Sequence, residues 1–224
     1  AQIQDGVVQV PKVDLHLTRV KGTVWVKDQI FNGVEMSAHM DQGRGWDGRL
    51  KLGLQKDKDK RPFAFSAHVS GSLSPLPSIL RKAVKNRAFV QEVNKVETLK
   101  GQARAWLDLL KTRQGPEIDI QARTFQARAE HARLAWPVRA QGSNLHITNH
   151  SIQVRDLQAD LGPSRFQIPK AGLSWQKAPR LTLQFTSGQV DLQSFWRWLQ
   201  SLPRLEKHFP SQLHLQGRAD LEQG

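Results

Sequence analysis

The 224-residue chain contains no cysteine, which excludes disulfides, thiolate zinc sites and cysteine nucleophiles. That fits a reducing compartment, or an oxidising one in which thiols are avoided. No apolar run approaches the roughly 20 residues that a spanning helix needs, and the mean hydropathy of −0.52 argues against a membrane-embedded body. The GxSxG elbow, the P-loop, GxGxxG and HExxH are all missing. Asp108, Asp119, Asp156 and Asp160 fall where alternation puts solvent-facing residues, and nothing pairs them for acid–base work. No catalytic residue and no enzyme activity are expected. Hydrophobic residues make up 38% of the chain, enough for a lean core in one all-β domain or two small ones.

Positive charge is abundant. Lys and Arg number 33 against 20 Asp and Glu, a net charge of +13, which favours an anionic partner or surface such as nucleic acid, phospholipid headgroups or a phosphorylated glycolipid. The cations are spread along the chain without a dense block, so a solvated basic exterior accounts for them equally well. Seven Trp and nine Phe invite a nucleic-acid platform, but no RNP-like or zinc-finger pattern accompanies them. The aromatics cluster around Trp196 and Trp198 instead of interleaving with Lys and Arg along one strand, so no nucleic-acid partner is expected. His146 and His150 have the i, i+4 spacing of a helical metal pair, yet sit in a strand–turn pattern without a nearby acidic third ligand at helical spacing; no metal or cofactor is expected. Asn149-His150-Ser151 matches a glycosylation sequon, a triplet common by chance.

Alternation organises the chain. PKVDLHL from Pro11 puts Val13, Leu15 and Leu17 on one side, and VKGTVWVKD from Val20 does the same with Val24 and Val26. Asn32-Gly33, Asp47-Gly48 and the charged KDKDKRP run from Lys56 read as turns between short antiparallel strands. Two segments depart from the pattern. PSILRKAVKNRAFVQEVNKVE predicts an amphipathic helix over about 76–97, with Ile79, Ala83, Val90 and Val93 near one face, Leu80 and Val84 beside them, and Arg81, Lys82, Lys85 and Arg87 opposite. SFWRWLQSLPRL predicts a second over 194–205, capped by Ser194 and ended by Pro203. Within it Phe195 and Leu199 read as core plugs; Trp196 and Trp198, two apart, point to different sides, so that one of them is expected at the groove mouth or a membrane interface.

The chain also repeats itself. GTVWVKDQIFNGVEMSAHM from Gly22 aligns with GSNLHITNHSIQVRDLQADL from Gly142 at an offset of about 121, matching Val24 with Leu145, Val26 with Ile147, Phe31 with Ile152, Met36 with Leu157 and Met40 with Leu161. SGSL at 70–73 and SGQV at 187–190 precede the two helices, and LKGQA from Leu99 matches LQGRA from Leu215. Prolines 11, 116 and 179 each open an alternating strand, where a missing N–H costs least. The expected organisation is therefore two strand–helix–strand repeats, 1–110 and 111–224, neither able to close its own core. The chain starts at Ala1, and IQDGVVQV and QLHLQGRADLEQ at its ends read as strands, so it is expected to be a slice of a longer or processed protein.

Pro11 and Pro116 with their x-hydrophobic-Asp-hydrophobic continuations, GTVWVKD, GSNLHITN, LQADLGPSRF, and SGQVDLQSFWRWLQSLPRL followed by LHLQGRADLE together resemble the AsmA-like superfamily, most of all its YhdP-type members, with TamB more distant. The resemblance covers nearly the whole chain, without the N-terminal membrane anchor or the C-terminal domain of full-length members. It implies a mainly β fold, an elongated antiparallel sheet curled into a groove (a β-taco), in the periplasm as part of a protein anchored in the inner membrane. It further implies passive transport of phospholipid between inner and outer membranes. The partners would be phospholipid acyl chains in the groove and an anionic membrane surface or its headgroups outside. On that reading the groove residues are Val24, Val26, Phe31, Met36 and Met40 in the first repeat and Leu145, Ile147, Ile152, Leu157 and Leu161 in the second. The alternative from the residues alone is a repeat scaffold in which these side chains fill a closed core and the basic exterior binds partners.

Overall fold

The structure, a computed structural model, describes residues 1–10, 15–40, 42–55, 61–83, 86–112, 115–176, 180–184, 186–200 and 217–222. Its strands are β1 (Gln2–Val10), β2 (Leu15–Lys27), β3 (Ile30–Met40), β4 (Gly43–Gly53), β5 (Phe63–Ser72), β6 (Val96–Thr112), β7 (Gly115–His131), β8 (Val138–Thr148), β9 (Ser151–Leu161), β10 (Ser164–Ser174), β11 (Arg180–Gln184), β12 (Ser187–Asp191) and β13 (Arg218–Glu222). They form one 13-stranded antiparallel sheet in nearly sequential order, β1 through β10, then β12 and β13. The short β11 pairs with the second half of β10 while β12 pairs with its first half. Among the described residues nothing joins β1 to β13, so the sheet is not closed into a barrel.

Among the described residues three short helices interrupt this meander. The predicted helix over 76–97 is two, α1 (Leu76–Ala83) and α2 (Arg87–Val93). Asn86 starts the second by accepting a hydrogen bond from the Phe89 amide at 3.0 Å, a capping geometry that needs a non-helical backbone at that residue. Glu97 belongs to β6. The other helix, α3, spans Leu192–Gln200, starting two residues earlier than predicted. Its cap is Asp191, whose Oδ1 accepts from the Ser194 amide at 2.8 Å; Ser194 lies inside the first turn. Pro203 and the rest of 201–216 lie outside the described residues, as do Pro11, Pro179 and Lys56–Lys60. No helix among the described residues is long and apolar enough to cross a membrane.

Two dipeptides taken as turns lie within strands. Asn32-Gly33 is in β3, and Asp47-Gly48 is in β4 at a register shift where Asp47 adopts φ 52°. The hairpin between β2 and β3 turns instead at Asp28 and Gln29, both left-handed with φ 51° and 58°, the backbone of a two-residue type I′ turn. Asx-Gly reports tolerance of positive φ, which a bulge uses as readily as a turn.

The described chain is thinly buried. Its accessible surface is 15749 Å², against about 10,000 Å² for a compact monomer of this mass. The excess follows from architecture, since a single sheet with little stacked on it has no second layer to share a core with.

Candidate functional site

Register assigns every strand residue to one of two faces. On one face Val26 opposes Phe31, Phe31 opposes Leu52, and Leu52 opposes Phe63. Two residues along, Leu50, Phe65, Leu109 and Ile118 stand in line. Next to them runs Ala67, Leu107, Ile120, Ile147, Ile152, Leu173 and Leu181 across seven strands. This face is apolar from the first strands to the last because an antiparallel pair places directly opposite residues on the same side. The other face is mainly polar, as in the line Trp46, His68, Trp106, Gln121, His146 and Gln153, and it also carries the exposed Trp25 and Leu110.

All ten predicted groove residues fall on the apolar face, and their burial differs sharply. Val24 and Ile147 are buried, at 8% and 4% exposure, whereas Val26 is 60% exposed. Phe31, Met36, Met40, Leu145, Ile152, Leu157 and Leu161 are half-buried. Leu52, Leu181, Leu183 and Leu221 on the same face are exposed, and alternation in the sequence marked none of them as special.

The helical insert covers part of that face. Phe89 and Val93 of α2 pack with Trp175, and Leu80, Ile152 and Leu173 close around them. Phe89 stacks on Trp175 with ring centroids 4.0 Å apart. The Trp175 indole donates to the Asn149 carbonyl at 2.7 Å, and the Asn86 side chain donates to the Trp175 carbonyl at 3.0 Å. Polar ends are thus satisfied while the rings bury, the arrangement tryptophan favours. Leu80 and Val93 point as predicted, but Ile79 is exposed. Glu92 holds the insert to the β7–β8 connection, its carboxylate meeting Lys95 at 2.7 Å and Arg133 at 3.1 Å. The hydrogen bond from Lys95 lowers its pKa below the usual 4.5, against desolvation and helped by Arg133 and His131.

No family model, curated protein or solved structure matches this chain.

On α3 Phe195, expected as a core plug, is 40% exposed, while Trp196 is buried. A helix entering from β12 turns the side that faces the sheet by the position of its cap, and capping at Asp191 sets that phase. The side chains of Trp198 and Leu199 lie outside the described residues. His146 Nε2 lies 3.0 Å from Asp119 Oδ2, and no group of three potential metal ligands occurs among the described residues.

Sequence reasoning missed an aromatic group on the polar face. Trp46 stacks on His68 at 5.5 Å, and Trp106 meets the same imidazole edge-on at 4.7 Å. Arg44 and Arg104 lie 5.3 Å and 5.8 Å from the Trp46 ring, within cation–π range. The signal was present as two Arg-x-Trp triplets, RGW at 44–46 and RAW at 104–106, which alternation places on one face of two strands separated by β5.

Proposed function

We propose that this chain is a periplasmic segment of an AsmA-like protein whose apolar sheet face forms a groove for passive passage of phospholipid between membranes. The observation that carries the reading is the apolar face running from the first strands to the last, with Val26, Leu52, Leu181, Leu183 and Leu221 left exposed on it. Twelve strands follow one another across the sheet, about 50 Å at the usual strand spacing. A 16-carbon acyl chain laid on such a face gains on the order of 10 kcal/mol from its methylenes, comparable to its hold in a bilayer, so it can enter and leave.

A repeated build supports the reading. β9 and β10 follow β3 and β4 at an offset of 121 residues with the same lengths, and the left-handed residues Glu35 and Asp156 share that offset. Gly101 and Gly217, from the matching LKGQA and LQGRA segments, both have positive φ. Curling of the sheet belongs to the same proposal: it lets one apolar wall face another while the polar side meets water.

Photoreactive residues at Val26 and Leu183 test this in cells carrying the parent protein, with Gln153 on the polar face as control. The first two positions are expected to capture phospholipid and the control none. Ile147 is unsuitable because it is buried against its neighbours. Capture of protein alone at Val26 and Leu183 would support the rival scaffold reading and sink this one.

A further inference from the structure

One rim of the sheet, where β7 ends, β8 begins and β9 turns into β10, concentrates cations around a cavity. Lys100, Arg128 and Arg139 stand directly opposite one another on β6, β7 and β8. Asp160 follows on β9 and Arg165 on β10. Arg128, Arg139, Asp160 and Arg165 line a cavity of about 350 Å³ whose end is formed by Pro137 and the Gly162-Pro163 turn. Trp136 lies against Gly162, where even a Cβ would come within 2.8 Å of the indole.

Like charges directly opposite on neighbouring strands repel one another, and the carboxylates nearby do not relieve this. Glu130 is 3.6 Å from Arg128, and Asp160 is 4.0 Å from Arg165 with both side chains well exposed. Such pairs are loose and weak. Arg139 has no ion-pair partner among the described residues. Four cations against two carboxylates leave an excess of two positive charges around a cavity large enough for a phosphate group. Guanidinium forks match tetrahedral oxyanions bidentately.

Position selects the source of the phosphate. Across the same rim the opposite face of the sheet presents Ala129, Val138 and Leu161 in register, so apolar surface ends within one residue of the arginines. We propose that this rim cavity binds a phosphate-bearing headgroup, with Arg128, Arg139 and Arg165 as its ligands and the acyl chains passing over the edge onto the apolar face. The phosphate site stands on its own geometry; the lipid origin of the phosphate rests on the groove reading above.

The test uses the purified chain with two probes, phosphatidylglycerol vesicles compared with phosphatidylcholine vesicles, and inorganic phosphate. Two double variants remove equal charge from the polar face: Arg128→Gln with Arg139→Gln at the rim, and Arg44→Gln with Arg104→Gln beside Trp46. All four side chains are exposed, and circular dichroism verifies folding. The rim pair is expected to lower affinity for phosphatidylglycerol about tenfold or more, the loss of roughly one charged hydrogen bond, and the control pair by less than about half as much. A tenfold loss seen only with inorganic phosphate supports the site and assigns it to a soluble phosphate, counting against the lipid source. Equal losses in the two variants, or none in the rim pair with either probe, overturn the proposal. Lipid capture at Val26 that persists in a rim variant of unchanged affinity would leave the groove reading intact while removing this one.

Discussion

Trp175 shows how much one residue carries in a sheet with so little layered on it. It is 2% exposed, stacks on Phe89, and donates its indole N–H to Asn149. Trp175→Ala is expected to cost about 3–5 kcal/mol, read as a lower midpoint in urea unfolding, because the cavity opens under the insert and the Asn149 carbonyl loses a donor. A change below about 1 kcal/mol would mean that the insert is not anchored there. The backbone sets a second residue-scale constraint at Gly101, where φ is 136° and an added Cβ would collide with the Gln126 carbonyl of the neighbouring strand. Neither feature was legible in the sequence. WQK reads as a strand end followed by polar residues, and a glycine in an alternating run reads only as a weakened strand.

At the scale of elements, the helices are held by carboxylates that titrate. The Asp191 carboxyl lies below its usual 3.8, chiefly through hydrogen bonding to Ser194, with smaller help from the charges of Arg218 and Arg197 and against slight desolvation. A depressed folded-state pKa makes the cap's contribution fully present above about pH 4 and lost as pH falls through the lower folded value. Docking of α3 is therefore expected to hold from neutral pH down to about 4 and to weaken below. The emission difference between the chain and its Trp196→Phe variant follows this, since Trp196 is buried only while α3 is seated. Asp191→Asn retains an accepting oxygen and should flatten that acid limb, whereas an unchanged limb would assign the transition elsewhere. Glu92 acts in the same direction on α2, its grip on Lys95 and Arg133 fading below about pH 4.5. The two helical segments were legible from their periodicity, but their boundaries depended on competition between nearby cap residues. Asp191 and Ser194 are both good caps, and only the end of β12 decides between them. Asn86 looked like one more polar position in a continuous helix until its side chain was seen bonding Phe89 and Trp175.

Over the whole molecule, the apolar face was legible because period-2 alternation maps directly onto one side of an antiparallel sheet, and bulges at Arg19, Glu35, Asp47, Asn144 and Asp156 keep the hydrophobic set in phase where the count would otherwise slip. Burial along that face was not legible, since it depends on which strands and helices lie over each position. That difference separates folding from binding. Ile147, at 4% exposure, is a structural residue, and Ile147→Ser is expected to cost about 2–5 kcal/mol. Val26 and Leu183, at 60% and 42%, are exposed, so Val26→Ser combined with Leu183→Ser should shift stability by no more than about 1 kcal/mol, roughly 0.5 for each. A ligand that binds only the folded chain raises its stability with concentration. Short-chain phospholipid added to the unsubstituted protein is therefore expected to raise its thermal midpoint, and the double serine variant, starting from nearly the same midpoint, should gain markedly less. Equal gains in the two proteins would place the lipid away from the apolar face, and no gain in either would mean that the exposed side chains meet something other than lipid.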